Sequence, residues 1–240
     1  MTNWKRTLLA TASGIVLAGS AQAADLPLKA APMALPITNW TGFYIGGHIG
    51  AGTSLDTCGL AAGGNSYACS DYGRNLTARD TGFVGGVNAG YDWQDRSFVY
   101  GVAADWTWTS IHSKIVDVSG SSGYQSKVNW LASFRGRAGL AVENTLVYAT
   151  GGLALGNFKE CIACGGTGTD WAHSSTNTWV GWVAGVGVEH KFNRNWSVDF
   201  KYLHYAFGSR DIDTTYSTTT YHHRFSHSVD VATIGLNYRW

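Results

Sequence analysis

Charge is scarce in this chain: 14% of its 240 residues are Asp, Glu, Lys or Arg, against about a quarter in ordinary globular domains. A soluble enzyme of this size normally carries more. Long apolar runs are missing as well. After Ala24 no segment reaches the roughly eighteen consecutive apolar residues that a spanning helix needs, so a helical membrane protein is excluded. Proline occurs three times, always between Asp25 and Asn39, and that stretch reads as an unstructured lead. No excess of basic residues exists to attract a polyanion: the formal net charge is +1, and nucleic acid is not an expected partner.

What is present is glycine and aromatic rings, 31 Gly with 11 Trp and 12 Tyr. The amino terminus has Lys5 and Arg6 ahead of a short apolar stretch from Leu8 to Ala18, then Ala21, Gln22 and Ala23 as a small-residue cleavage site. This is the pattern of a secretory signal peptide over 1–23, with the mature chain beginning at Ala24. Its removal lowers the basic residues from 17 to 15 against 16 acidic ones, a formal charge of −1. At the other end, Asp230, Ala232, Ile234, Leu236, Tyr238 and Trp240 alternate with Val231, Thr233, Gly235, Asn237 and Arg239. A strand that is apolar and aromatic on one face and ends on an aromatic residue suits the closing strand of an outer-membrane β-barrel. Tyr238 and Trp240 are read as the signal presented to the barrel-assembly machinery.

The same period of two marks eight strands. They run roughly over Trp40 to Ala51, Thr81 to Trp93, Phe98 to Ser110, Ser126 to Leu140, Leu146 to Asn157, Asn177 to Phe192, Trp196 to Gly208 and Phe225 to Trp240. In the third, Phe98, Tyr100, Val102, Ala104, Trp106 and Trp108 share a face opposite Gly101, Ala103, Asp105 and Thr107. Past Leu203 the parity becomes unclear, as a bulge would make it. Three connections are short (94–97, 143–145 and 193–195) and four are long (52–80, 111–125, 158–176 and 209–224). Short periplasmic turns, long outer loops and an even strand number with both termini in the periplasm are the expected asymmetry of such barrels. The expectation is therefore all-β: an eight-stranded antiparallel transmembrane barrel over 40–240, preceded by a periplasmic lead over 24–39.

Several stretches also carry a family resemblance: Ala24-Asp25-Leu26-Pro27, the opening Asn39-Trp40-Thr41-Gly42-Phe43-Tyr44-Ile45-Gly46-Gly47, Tyr148-Ala149-Thr150-Gly151-Gly152, and Trp182-Val183-Ala184-Gly185-Val186-Gly187-Val188-Glu189. On these the chain resembles the small outer-membrane immunogenic proteins of alphaproteobacteria, RopB-type and opacity-protein-like porins. The resemblance implies an outer-membrane location, contact with membrane lipid and lipopolysaccharide, host or surface ligands met through the loops, and envelope-structural or porin-like roles. It implies no catalytic residues. Ending on Trp240 where Phe is commoner, and the four cysteines, depart from the family pattern.

Eight strands enclose a lumen that side chains about fill. The inward faces carry Asp92, Asp105, Glu189 and Asp199 with Arg135, Arg137, Lys191, Lys201 and Arg239. Four acids against five bases suggest an ion-paired plug, because an unpaired charge in such a space costs several kcal/mol. A narrow or gated pore for small solutes, lined by Arg135 and Arg137, is the alternative.

Cys58 and Cys69 fall in the first long loop, Cys161 and Cys164 in the third. An oxidising periplasm makes disulfides the default, with three pairings available and the two within-loop pairs favoured. The C-x-x-C spacing with His173 is the weaker, metal-binding reading. His204, His222, His223 and His227 cluster near the fourth loop and read as exposed loop histidines, with metal, haem or pH sensing as alternatives. Ser226, Ser228 and Asp230 share a face, while His227 points the other way, which removes the base from any hydrolytic set. No enzyme activity, cofactor or metal is expected. Tyr67, Tyr72, Tyr124, Trp171, Tyr216 and Tyr221 are loop aromatics suited to surface contacts.

Overall fold

Residues that alternate in hydrophobicity form a sheet with two unlike faces, and closing that sheet removes its edges. The computed structural model describes residues 38–60, 76–116, 123–164, 174–216 and 219–240. The chain divides into units Met1–Ala34 and Leu35–Trp240, and all described residues belong to the second. Among them are nine strands: β1 (Gly42–Leu60), β2 (Leu76–Asp95), β3 (Phe98–Thr109), β4 (His112–Val116), β5 (Gly123–Val142), β6 (Thr145–Cys164), β7 (Ser174–Lys191), β8 (Trp196–Tyr216) and β9 (Thr219–Arg239). Each pairing is antiparallel, and β1 also pairs with β9, from Tyr44 opposite Arg239 to Leu60 opposite His223. That pairing closes the barrel.

β3 and β4 both pair with β5, so they are two pieces of one stave and the barrel is eight-stranded. The interruption at Ser110 and Ile111 leaves no gap in the hydrogen bonding. Ser110 N donates to Phe83 O and Phe83 N donates to Ser110 Oγ, both at 2.9 Å, and Val128 N donates to Ile111 O at 3.1 Å.

The two faces follow the alternation. Phe43, Ile45 and Ile49 on β1, Phe83, Val87 and Trp93 on β2, Val180, Trp182, Val186 and Val188 on β7, and Ile234, Leu236 and Trp240 at the carboxyl end all face outward. Their neighbours face the lumen. Rings gather at the end of the barrel that carries the short turns: Phe43, Tyr91, Trp93, Tyr100 and Phe98 form a chain of contacts, as do Trp196, Tyr238 and Trp240. At the other end Trp106 and Trp130 stack at 4.3 Å. Aromatic girdles bounding an apolar band are how a transmembrane barrel meets its two interfaces.

The strands run further than the alternation predicts. β1 reaches Leu60 rather than Ala51, β6 reaches Cys164, β8 reaches Tyr216, and β4 occupies part of an expected loop. Backbone pairing continues beyond the apolar band, where the hydrophobic signal that marks a strand in sequence no longer applies. The expected irregularity after Leu203 is a register shift between Ala206 and Ser209. Gly208 sits there with φ +70 and nothing within 4 Å of the position a Cβ would take. Its requirement is therefore conformational. Gly208→Val is expected to lose about 1–2 kcal/mol of folding stability, the left-handed backbone cost for a residue with a Cβ, read as a lower urea midpoint of the refolded barrel. An unchanged midpoint contradicts that account of the bulge.

Candidate functional site: the barrel lumen

The lumen is layered from the short-turn end upward. At the bottom Trp40 lies across the opening, 1% exposed. Its backbone N donates to Gln94 Oε1 at 2.6 Å. The Lys191 ammonium and the Arg239 guanidinium lie 4.7 and 4.9 Å from the centre of its indole, and Lys191 Nζ donates to Asn39 O at 2.5 Å.

Above this lies a quartet of charges contributed by four staves. Arg137 on β5 donates to both oxygens of Asp92 on β2, through Nε at 2.6 Å and through Nη2, and its Nη1 reaches Glu189 on β7 at 3.1 Å. Arg239 on β9 bridges the same two acids, at 2.7 Å to Asp92 and 2.8 Å to Glu189. Ser197 and Asn237 donate to Glu189 Oε1 at 2.6 and 3.0 Å. Two-pronged guanidinium–carboxylate contacts of this kind are the strong form of the ion pair. The Tyr44 and Tyr148 rings flank the Arg137 guanidinium at 4.7 and 5.0 Å. Room for the Tyr148 ring comes from Gly187, where a Cβ would stand 2.4 Å from the phenol.

The next layer is a second network. Arg135 donates to Asp105 at 2.6 Å and to Ser133 Oγ at 2.8 Å, and Ser133 Oγ donates to Asp105 at 2.5 Å. Tyr148 OH donates to Asp199 at 2.7 Å, and Lys201 Nζ lies 3.3 Å from the same carboxylate. Asn88 links this region downward by donating to Asn237 at 2.8 Å. All nine inward charges read from the sequence are buried, and each but Lys191 is in an ion pair. Lys191 instead caps the lower opening. Between the two layers a cavity of about 10 Å³ remains, lined by Tyr44, Arg135, Arg137, Tyr148, Asp199 and Lys201 among others. That is space for about one water.

The upper lumen changes character. Val84, Ile111, Val128, Leu131, Val183, Leu203, Val229 and Val231 form an apolar layer that continues into Phe158, Trp179, Phe207 and Phe225. Within it lies His227, 1% exposed, which corrects its reading as an exposed loop histidine. Nδ1 meets Asp56 and Nε2 meets Glu160, both at 2.6 Å, and the ring stacks on Phe158 at 4.5 Å. Asp56 also accepts from Ser54, which bonds Ser113 at 2.7 Å. His204 is half-buried and bonds Asp230 at 2.7 Å. The side chains of His222 and His223 lie outside the described residues.

Cys58 and Cys161 lie on β1 and β6 rather than in loops, because the strands overrun the expected boundaries. Both are buried and disulfide-bonded, so Cys161 offers no thiolate to a metal. Their expected partners Cys69 and Cys164, and His173, fall outside the described side chains. Among the described residues no group of three His, Cys, Asp or Glu could hold a metal ion. Tyr67, Tyr72, Tyr124, Trp171, Tyr216 and Tyr221 also lie outside the described side chains. At the carboxyl end, Tyr238 meets Trp240 edge-on at 5.0 Å, and Trp240 N donates to Phe43 O at 3.2 Å.

Reasoning from parity identified the inward charges but not Tyr44, Tyr148, Tyr205, Asn88 and Asn237 as their partners, nor the Asp56–His227–Glu160 triad. The inward parity of Tyr44, Asn88, Tyr148 and Asn237 was available, whereas Tyr205 lies past Leu203, where the parity becomes unclear, and Asp56 and Glu160 fall in expected loops. Which residues meet across the lumen depends on the stagger between staves, which a single strand does not reveal.

With this geometry in hand, the comparisons with known proteins are direct. The family described as outer membrane protein beta-barrel domain matches residues 11–239. The 31 kDa outer-membrane immunogenic protein of Brucella melitensis biotype 1 is 33% identical over 98% of this chain and 100% of its own length. The 22 kDa outer membrane protein of Rhizobium leguminosarum bv. viciae is 34% identical over 74% of this chain and 69% of its own length. The crystal structure of the outer membrane protein OprG from Pseudomonas aeruginosa aligns with a TM-score of 0.53 at 11% identity, covering 84% of this chain and 97% of that one. That last likeness concerns the fold alone.

The triad has a measurable signature. Outward apolar residues on β9 end at Ala232, and His227 lies beyond Asp230, outside the membrane-spanning part. Burial works against its charge, but the hydrogen bonds to Asp56 and Glu160, and their negative charges, hold its pKa up at about 9 from 6.5. A pKa raised on folding contributes stability in full below the unfolded value and loses it as pH rises through the folded one. The barrel is expected to lose about 3 kcal/mol between pH 6.5 and about 9. Urea midpoints across that range test this, with His227→Gln expected to be less stable at the lower pH and to lack the decline. An equal decline in the variant overturns the assignment to His227.

Proposed function

The chain belongs to the outer-membrane β-barrel protein family, and on that premise we propose that it is a sealed wall element of the envelope that displays its long connections at the cell surface. Its location is the outer membrane, and its apolar outer band is in contact with lipid. The leader over 1–23 serves export and is removed before Ala24, and 24–39 is a periplasmic lead. The barrel-assembly machinery receives the chain through its terminal strand.

The observation that carries this reading is the filled lumen. At the level of Arg135 and Arg137, where a pore would need an open passage, there is room for about one water. Charges in a conducting lumen face water, whereas these are satisfied by one another across the barrel. The names of the relatives, outer-membrane immunogenic proteins, are consistent with display at the cell surface. The role is architectural rather than catalytic: His227, the base that a serine hydrolase would use, is held by two carboxylates inside the barrel wall, while Ser228 and Asp230 point outward.

Planar-bilayer recording of the refolded chain is expected to show no stable stepwise current. Arg135→Ala combined with Arg137→Ala is expected to lower stability by at least about 3–5 kcal/mol, the cost of leaving buried carboxylates without partners, and still to give no native-like steps. A wild-type channel whose ion selectivity follows Arg135 and Arg137 establishes the small-solute pore instead. Orientation is tested separately. An epitope inserted between residues 61 and 75 is expected to bind antibody on intact cells, and one inserted at Asn144 only after the outer membrane is permeabilised.

A further inference from the structure

Towards the end with the long connections, the ring of backbone pairs divides. Among the described residues, β7 pairs with β8 only from Trp182 opposite Ala206 down to Lys191 opposite Ser197. The ladder of β7 with β6 nevertheless climbs to Ser174, and that of β8 with β9 climbs to Tyr216. The same happens across the barrel. Regular pairing of β2 with β3 ends at Val84, while β2 stays paired with β1 up to Leu76 and β4 is paired with β5. Two opposite seams therefore split the upper wall into two four-stranded sheets, β8-β9-β1-β2 and β4-β5-β6-β7, with the apolar layer between them. Side chains cross from one sheet to the other: His227 meets Glu160, and Ser54 meets Ser113.

A strand with one side unpaired invites another strand, and proteins blunt such edges with charge, proline, bulges or shortness. Three of the four edges made by the seams are blunted. The β2 edge carries Arg79 and Asp80, β4 is 5 residues long and carries His112 and Lys114, and the β8 edge has the bulge at Gly208 followed by Arg210 and Asp211. The β7 edge from Ser174 to Gly181 has no charge, no proline and no register shift. Its sequence is Ser-Ser-Thr-Asn-Thr-Trp-Val-Gly, and Ser175, Thr176, Thr178 and Val180 are exposed. At about 3.4 Å per residue it runs for about 27 Å, and alternate residues turn amide and carbonyl towards the missing neighbour, about four of each.

The notch between β7 and β8 has a floor and two unlike banks. A Cβ on Gly181 would stand 2.2 Å from Ala206 O, so the strands still touch at its base. On the β7 bank Trp179 is buried, and its Nε1 has no acceptor among the described residues. On the β8 bank Arg210 lays its guanidinium 4.7 Å from the centre of that indole. Arg210 is exposed and is in no ion pair with a described residue.

We propose that the notch receives an extended segment of a second, different polypeptide as an added strand on β7, with an acidic side chain of that segment against Arg210. In strand addition of this kind the main chain supplies the attachment and alternate side chains the selectivity. Inward side chains of the guest meet Trp179 and Phe207, and outward ones lie beside Thr176 and Thr178. A second copy of this chain does not fit. Copies in one membrane share a polarity, and their strands, tilted by about 35–45°, cross at roughly twice that angle where two barrels touch, so the edges do not run side by side. The site rests on the orientation proposed above, which puts the notch outside the cell.

The test adds a labelled synthetic octapeptide, alternating threonine and valine with one central glutamate, to the full chain refolded in detergent. Saturable binding is expected, with slowed amide exchange between Ser174 and Gly181 and no change at the edges of β2 and β4. Methylating alternate backbone nitrogens of the peptide is expected to weaken binding at least about thirtyfold, the combined effect of four backbone hydrogen bonds. Arg210→Glu is expected to weaken it about two- to fivefold, and a peptide with lysine in place of glutamate is expected to recover the loss, which a misfolded variant would not allow. Equal binding of the methylated peptide, protection confined to other edges, or no saturable binding overturns the site. So does a wild-type dimer that the peptide dissolves, which assigns the edge to a second copy. Binding in detergent does not depend on orientation in the cell, so failure here leaves the antibody-accessibility result, and the display reading, untouched.

Discussion

Hydrocarbon cannot hydrogen-bond, so each backbone amide within the membrane must find its partner in a neighbouring strand. In this chain the decisive contact is the ladder between β1 and β9, two strands at opposite ends of the sequence. Without it the sheet would present two edges to lipid, each unsatisfied group costing several kcal/mol. With it, eight staves are forced into a ring too narrow for a water-filled channel. The content of the lumen then becomes a packing problem rather than a matter of choice.

That problem is solved with charge. Asp92, Glu189, Arg137 and Arg239 come from β2, β7, β5 and β9, so the ion pairs brace staves that are not adjacent in the sheet. Surface pairs between flexible side chains are worth little. Here the guanidiniums are held between rings, Arg137 by Tyr44 and Tyr148, and Arg239 by Tyr44 and Trp40. Little freedom remains to be lost when the pairs form. The same arrangement makes the lumen intolerant of partial change, because removing one member leaves a desolvated charge behind. Glycine is part of the solution, since at Gly187 any side chain would displace the Tyr148 ring that completes the stack.

Parity along each strand was sufficient to sort lipid-facing from lumen-facing residues wherever the outer face was apolar. Phe98 through Trp108 and Val180 through Val188 lie outward as their alternation predicts. Asp92, Asp105, Arg135 and Glu189 lie inward for the same reason. Two things were not legible. Cross-lumen partners such as Tyr148 with Asp199, 51 residues apart, depend on the stagger of the whole ring. Strand ends were also misjudged, because β1, β6, β8 and β9 continue into stretches such as Thr53, Ser54 and Asp56 that look like polar loop. His227 appeared exposed for want of apolar neighbours at positions 226 and 228; its inward companions, Phe225, Val229 and Val231, lie at the alternate positions.

Those errors share one physical cause, a change of solvent along each stave. On β9 the apolar residues occupy the outward positions Ala232, Ile234 and Leu236, with Thr233, Asn237 and Arg239 inside; beyond Asp230 they occupy the inward positions Val229 and Phe225, with Ser226, Ser228 and Arg224 outside. β8 makes the same exchange, from Phe200 and Tyr202 outside to Leu203, Tyr205 and Phe207 inside. Geometrically the pleat does not change until the bulge at Ala206; what changes is which face meets water. Within the membrane the barrel is apolar outside and polar inside. Above it the same strands build an ordinary hydrophobic core with a polar exterior. A chain read for one phase of alternation sees this exchange as the end of a strand, although the backbone ladder passes through it intact. The exchange also places the outer interface near Asp230 on β9, where the apolar residues pass from the outer face to the inner one.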